Sequence, residues 1–565
     1  MSKKLLFSLL FFSCVITGKA QTTYLPTGSE DNHLLDRLET RSGRFSDTLC
    51  LMNKPVSRQR AVLFLEHVRD SANRNLSGID QYNLAHAISE NGEWAADETG
   101  AIDSKHPIFN FFYKKEYDFV YVKTRDFFMV ANPVLSAQGI VEQGSSKPLF
   151  SNSRGIELRG WISKKIGFYT SCVSNDETPP SFVTNYIESK KALPGADYYV
   201  NKPGYFNYLQ ASGYFDFAIV KNHLNATMGY GKNFIGDGVT SLFLSDASSG
   251  YPFLKLTTHI WKFNYQNLFV QLTPQFKNKN TLLEHKYASI HQLNVNLTRW
   301  LNVGFFEAVV FGREGNYDIS YMNPIIYYRA TEQANGSPDN ELVGYNFKLI
   351  AAKHLQFYGQ VLLDEFQAKE LLSNRGFWAN KWGVQAGCKY FDVFGIKNLD
   401  AQGEINVVRP YTYSHSDTVA NYTNYNQPLA NPLGSGFEQV ICIASYQPVR
   451  NVTVTVKGMY YIKGADTGST NYGNNIFQNY KTRDADYGVG MINGINTHCI
   501  SLNLDLSYQV RRNMFIDLGA TKRNFVSDYR GQISSTTGLS TGDYSKTYIY
   551  FGVRLNAAKR NYDFF

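Results

Sequence analysis

The sequence predicts an all-β transmembrane protein, an antiparallel outer-membrane β-barrel of about 18 strands with a small N-terminal helical domain. Three observations point there. The run Ile500–Val510 reads Ile-Ser-Leu-Asn-Leu-Asp-Leu-Ser-Tyr-Gln-Val, apolar at every second position. Successive strand side chains point to opposite faces, so this segment has one greasy and one wet face. About ten tilted residues of that kind cross a bilayer. The second observation is that loops sort by parity. Short links such as Ser163-Lys164-Lys165, Lys221-Asn222, Arg299-Trp300 and Arg511–Asn513 alternate with long segments such as Lys232–Pro252, Gly312–Glu341, Arg409–Gly436 and Gly464–His498. A barrel inserted from the periplasm has short turns inside and long loops outside. The third is an aromatic content of 15%, which girdles at the two membrane interfaces would absorb.

The elements follow in chain order. Residues 1–20 read as an export signal: Lys3 and Lys4, the apolar run Leu5–Val15, and small residues from Thr17 to Ala20 before Gln21. Cys14 lacks the leucine lead-in that a lipid anchor requires. Residues 21–115 are predicted to be helical. Ser57–Ser71 sets Ala61, Phe64, Leu65 and Val68 at helical spacing, and Ser77-Gly78-Ile79-Asp80 resembles a capping box, followed by Tyr82, Leu84, Ile88 and a stop at Gly92. Leu34–Glu39 is a further short helix. Lying ahead of the barrel, this region is expected at the periplasmic mouth or as a plug.

Residues 116–565 form the predicted barrel, with strands running from Phe127–Gln138 to Thr547–Leu555. Asp400, Gln402, Glu404 and Asn406 share one parity and face the lumen, as do Asn503 and Asp505. In Val452–Ile462 the valines 452, 454 and 456 face lipid, while Thr453, Thr455 and Lys457 face inward. A lysine or arginine turned toward lipid near the midplane costs about 2–4 kcal/mol, so these registers are well determined. Leu301–Phe311 breaks the rule at Glu307, and a β-bulge is expected to restore it. The chain ends in Tyr562-Asp563-Phe564-Phe565, and a terminal aromatic is common in such barrels.

The formal charge of +8 includes three lysines of the signal and is scattered, which excludes nucleic acid as a partner. After the signal, Cys50, Cys172, Cys388, Cys442 and Cys499 are widely spaced and form no Cys-x-x-Cys pair, arguing against zinc and against a disulfide framework. Gly229–Gly238 is glycine-rich, yet it lacks the Gly-Lys-Ser/Thr end of a phosphate loop and reads as a loop base folding toward the lumen. His259, His291, His415 and His498 are scattered, and neither His-Glu-x-x-His nor Gly-x-Ser-x-Gly occurs. The chain is therefore not expected to be an enzyme, and no cofactor, metal or catalytic residue is implied. The stretch Arg409–Asp417 followed by Asn421–Gln427 sets tyrosine rings beside Asn, Asp and His, a composition that suits sugar faces and hydroxyls. The candidate glycan ligands are Tyr411, Tyr413, His415, Tyr422, Tyr425 and Asp237. Tyr321–Arg329 is too apolar for a free loop and is expected to fold onto the barrel wall or into the lumen.

Several of these stretches carry a family resemblance. Gly236-Asp237-Gly238 with Leu242–Asp246 and Tyr251–Lys255, Tyr321-Met-Asn-Pro324 with Tyr328-Arg329, Tyr358-Gly-Gln360 with Asp364–Phe366, and Arg409–Tyr413 with Pro432–Gly434 resemble the capsule-assembly Wzi family of outer-membrane proteins. Within it they are similar to the Bacteroidetes gliding-motility RemB-like branch. The resemblance implies an 18-stranded barrel with a periplasmic helical bundle, lectin-like toward surface polysaccharide. The expected function is binding or assembling cell-surface polysaccharide, in capsule attachment or in adhesion during gliding. The alternatives are an outer-membrane porin or transporter and, from a third class, an outer-membrane enzyme. The expected location is the outer membrane, with the N-terminal domain periplasmic and the long loops extracellular. Expected partners are outer-membrane lipid, surface polysaccharide and other outer-membrane, motility or secretion proteins.

Overall fold

The structure is a computed structural model that describes residues 22–72, 76–96, 101–109, 111–277, 282–336, 339–467, 470–511, 513–528 and 543–563. The expected signal, residues 1–20, and Phe564-Phe565 lie outside the described residues. Eighteen antiparallel strands form a closed wall. They are β1 Phe127–Glu142, β2 Leu149–Ile162, β3 Ile166–Thr178, β4 Tyr205–Val220, β5 Leu224–Gly231, β6 Tyr251–Ile260, β7 Phe263–Leu272, β8 Lys286–Asn296 and β9 Leu301–Phe311. The circuit continues with β10 Asn340–Ala351, β11 Leu355–Glu365, β12 Lys381–Tyr390, β13 Leu399–Val408, β14 Phe437–Val449, β15 Val452–Ala465, β16 Ile495–Arg511, β17 Met514–Ser527 and β18 Tyr544–Leu555. β18 returns to β1, with Leu555 opposite Leu135 and Tyr548 opposite Glu142. Each of the alternating runs in the sequence is one wall strand.

The two faces behave as alternation requires. Ile500, Leu502, Leu504 and Leu506 are exposed on the outside, and Asn503 and Asp505 between them are buried inside. Phe305, Tyr345, Phe347, Val361, Ile549 and Phe551 extend this outer apolar belt, and Trp261 and Trp300 stand exposed at the short-turn end. A soluble monomer rarely exposes so continuous an apolar surface. A bilayer is the solvent that matches it. No described helix is long and apolar enough to cross a membrane.

Glu307 corrects one expectation. The register of β9 with both neighbours runs unbroken from Asn302 to Val310, with no bulge. Glu307 keeps its outward parity and is covered from outside by the β9–β10 loop, whose Tyr328 N–H donates to it at 2.8 Å. A partner supplied by the loop removes the penalty that a bulge would have removed.

The N-terminal residues fold as helices α1 (Glu30–Ser42), α2 (Arg58–Ala72) and α3 (Gly78–Glu90). Ser77 and Asp80 form the capping box of α3. α1 runs well beyond Leu34–Glu39, because Ser29 caps its start and Gly43 in the left-handed conformation ends it. Leu35, Leu38, Phe64, Leu65, Val68, Leu84 and Ile88 form a small core of their own. The opposite surface of this unit is docked into the short-turn end of the barrel by buried charges. Arg37 donates to Asp80 at 2.8 Å, to Asp392 at 2.6 Å and to Asp400, joining α1, α3 and the β12–β13 turn. Asp36 pairs with Lys348 at 3.0 Å and with Lys389. Burial alone would raise the Asp36 carboxyl, but the two lysines outweigh it and hold that group well below the usual carboxylate range. Glu93 meets Arg159 at 3.2 Å, and the Tyr24 hydroxyl donates to Asp216 at 2.9 Å.

The C-terminal tail enters the lumen as well. Past Leu555 it runs along the inner wall, where Lys559 pairs with Asp505, Arg560 with Glu177 at 3.0 Å, and Asp563 with Lys457 at 2.9 Å. The residues up to Asp563 therefore lie outside the last strand and inside the barrel.

Candidate functional site

Two long loops meet inside the barrel, and the β11–β12 and β15–β16 loops close over them. The β5–β6 loop descends from Lys232 to Gly250. Its Phe234-Ile235 pair is antiparallel to Asn53-Lys54 of the N-terminal region, so contributions from the two ends of the barrel touch in the lumen. Ser241, Leu242, Phe243 and Leu244 are fully buried. Glu404 of β13 accepts the Val239 N–H at 2.6 Å, the Thr240 N–H at 3.2 Å and the Thr240 hydroxyl at 2.7 Å. Phe243 stacks on Phe306 at 4.4 Å and lies over Gly344, where an added Cβ would come within 2.4 Å of its ring. That glycine is the space the loop needs to reach the wall.

The β13–β14 loop lies on this layer. Tyr413 donates its hydroxyl to the Leu242 carbonyl at 2.8 Å, and Tyr422 to the Phe243 carbonyl at 2.7 Å. Tyr411 donates to the Asn471 carbonyl at 2.9 Å, and burial pushes its phenol up to about 12. Tyr425 packs against Phe276 with ring centres 4.8 Å apart. His415 is buried beside Tyr480, and burial followed by the nearby Lys381 lowers its pKa. The structure thus places these five predicted ligands in the interior of the loop assembly. Each phenol of Tyr411, Tyr413 and Tyr422 is spent on a loop carbonyl, so the rings serve as scaffold under the outer surface. Asp237 lies elsewhere, 3.3 Å from Lys348 among the charges that dock α1. Asp400 belongs to the Arg37 cluster, Gln402 donates to the Tyr358 hydroxyl at 2.8 Å, Asn503 donates to Thr521 at 2.8 Å, and Asp505 holds the C-terminal tail through Lys559.

Above the buried tyrosines the loops leave a cavity of about 400 Å³ at the long-loop end, lined among others by the exposed Asn374 and by Arg375, Phe377, Arg409 and Val489. Its walls are held by backbone pairing between two loops: Gly488 N–H donates to the Arg375 carbonyl at 2.9 Å, and Val489 N–H to the Gly376 carbonyl at 3.0 Å. Gly376 has φ +66°, and a Cβ there would meet the Val489 nitrogen at 2.9 Å, so only glycine permits this approach. Trp378, Tyr411 and Val489 pack into an apolar layer beneath. The Arg375 guanidinium stacks on Tyr487 at 4.5 Å and pairs with Glu370 at 2.8 Å. Arg409 spends one nitrogen on the Val489 carbonyl at 3.1 Å, while its buried Nε has no hydrogen-bond partner within the protein. The desolvation of that guanidinium lowers its pKa, yet arginine keeps its charge. Two arginines beside aromatic rings and an asparagine are equipped to take an anionic, hydroxylated ligand. Sequence reasoning reached Arg409 as the start of a loop and of a resemblance motif, without a ligand role, and missed Arg375. The available signal was the cluster Arg375-Gly-Phe-Trp378 inside a long loop.

Residues 262–525 match the family model described as capsule assembly protein Wzi. Among solved structures the chain is similar to Wzi of Escherichia coli, an outer-membrane protein involved in group 1 capsule assembly and a carbohydrate-binding β-barrel. The two are 13% identical with a TM-score of 0.54, and the match covers 94% of this chain and 99% of that one. OprD of Pseudomonas aeruginosa follows at 9% identity and a TM-score of 0.41, over 76% of this chain and 95% of that one. No curated protein sequence matches the chain significantly.

Proposed function

We propose that this protein is an outer-membrane barrel that holds surface polysaccharide at its long-loop end, with the helical N-terminal domain closing the periplasmic end. The observation that carries the reading is the pairing of a filled lumen with a polar cavity at the outer rim, where Arg375 and Arg409 stand beside aromatic rings. A barrel packed along its axis is suited to anchoring and poorly suited to passing solutes. The Escherichia coli protein to which it is similar binds carbohydrate and takes part in capsule assembly. Binding here is non-covalent: guanidinium groups take carboxylates of an acidic glycan, asparagine takes hydroxyls, and exposed Tyr487 offers a face to the sugar ring. The tyrosines 411, 413 and 422 support that surface from below.

The test is titration of the purified full-length protein with acidic and neutral oligosaccharides. Hydrogen bonds to charged groups contribute about 1.5–3 kcal/mol each, so Arg375→Ala and Arg409→Ala are each expected to weaken acidic-glycan affinity by roughly 10- to 100-fold. Equal binding of neutral and acidic chains, unchanged in both variants, would remove the cavity as the site.

A further inference from the structure

The loop between β9 and β10 leaves the long-loop end and folds down over the outside of the wall. On β7, β8 and β9 the apolar residues of inward parity include Leu268, Val270, Ala288, Ile290, Phe306 and Val310, which belong to the core inside the lumen. Tyr265, Tyr287, Ser289, His291, Glu307, Val309 and Phe311 have the opposite parity and belong to the lipid-facing side. Tyr321 and Tyr328 pack with Tyr287, Val309 and Phe311 into a cluster on that outer side. The polar contacts run across the same face. Tyr265 donates its hydroxyl to the Pro324 carbonyl at 2.6 Å, and Tyr287 to the Gly315 carbonyl at 2.5 Å. Tyr328 N–H meets Glu307, its ring stacks 4.0 Å from that of His291, and His291 lies 3.6 Å from Glu307.

The depth of this seam decides its solvent. Glu307 lies six residues along β9 from Leu301, which follows the exposed Trp300 of the short turn. At about 3.3 Å per residue and a tilt near 40°, that is roughly 15 Å up a lipid-facing band about 25 Å tall. A carboxylate and an imidazole at that height face hydrocarbon unless something covers them. The loop covers them, and its outer surface presents Ile325, 86% exposed, and Ile319, 79% exposed, with Met322 and Tyr327 beside them and only Ser320 and Asn323 as exposed polar side chains between Ile319 and Tyr327. This surface continues the belt formed by Phe305, Tyr345 and Phe347 on the adjoining wall.

We infer that the segment from Tyr317 to Arg329 is a membrane-inserted flap, seated in the leaflet nearest the long-loop end with acyl chains as its occupant. It shields the His291–Glu307 seam and presents Ile319, Met322, Ile325 and Tyr327 to lipid. Arg329, paired with Glu332 at 2.7 Å, marks its polar margin. The inference goes beyond glycan binding and does not depend on it.

The experiment places an environment-sensitive fluorophore on Ile325→Cys or Ile319→Cys of the full chain, in a background where the exposed Cys172 and Cys442 are serine. The protein is reconstituted in vesicles with brominated acyl chains. Leu504→Cys on the wall and Lys481→Cys on an exposed loop provide the two reference levels. Quenching by brominated chains equal to the Leu504 level, with weak quenching by aqueous iodide, is expected at both positions. Iodide access at the Lys481 level would overturn the proposal by placing the flap in water. Protection from both quenchers would also overturn it, because the face would then be covered by protein.

Discussion

Replacing Arg37 by alanine will undock the N-terminal helices and cost about 3–5 kcal/mol, the range for removing one partner of a buried ionic cluster. The size follows from what is left behind. Asp80, Asp392 and Asp400 converge on one guanidinium whose side chain is 4% exposed, and all three carboxylates are themselves buried. Hydrogen exchange of the α1 amides in detergent-solubilised protein measures the loss. Protection reduced by less than tenfold would show that Arg41 and His33, which also touch Asp392 and Asp400, suffice. The cluster also sets an acid limit. For Asp392, burial raises the pKa, but the Arg37 hydrogen bond and charge outweigh it and lower the value, as the lysines do for Asp36. Folded pKa values below the unfolded one near 3.9 mean that this stability is present above about pH 4 and is lost as pH falls further. Docking should therefore hold from neutral pH to about pH 4 and fail below it. Undocking that begins near pH 6 would contradict the assignment.

Phe243→Ala will change a closed barrel into a leaky one. An 18-strand wall is wide enough for an aqueous lumen, so closure depends on what fills it. Phe243 is fully buried, stacks on Phe306, and anchors the loop that Glu404 and Tyr422 hold from two sides. Truncating a buried phenylalanine costs about 3–5 kcal/mol, enough to release the loop from the wall part of the time. In planar bilayers the unaltered protein should show no large stable conductance, and the variant should show frequent openings. A large steady conductance from the unaltered protein would favour the porin reading and count against a lumen held shut by Phe243. The conservative Phe243→Leu, which keeps most of the volume, should remain closed.

Strand alternation was legible because it is local. The parity of Asn503 and Asp505 against Leu502 and Leu504 needs no knowledge of any other strand, and the sorting of loops by length fixed which ends of the strands turn tightly. The capping box at Ser77 was legible for the same reason, since its four residues satisfy one another. The candidate site was much less so. Tyrosines 411, 413 and 422 have the composition of a sugar platform, but their hydroxyls are taken by the carbonyls of Asn471, Leu242 and Phe243, one of them 60 residues away. Composition records what a side chain could hold and says nothing of a distant carbonyl that has already claimed it. Arg375 escaped notice because the partner that shapes its cavity, Gly488-Val489, lies more than a hundred residues along the chain.

The chain by itself determined the wall: its period-two pattern, the rank of its eighteen strands and which face meets lipid, because a single misplaced charge in hydrocarbon is costly enough to set the register. Only the tertiary structure decided what the wall encloses and what leans on it. The β5–β6 loop, the C-terminal tail and α1 turn inward, while the β9–β10 loop turns outward over Glu307. The β5–β6 loop and the β9–β10 loop both carry runs of apolar residues. Their direction follows from where a carboxylate or a glycine gap waits on a strand, or a carbonyl on another loop, a matter of contacts across the barrel that no local pattern encodes.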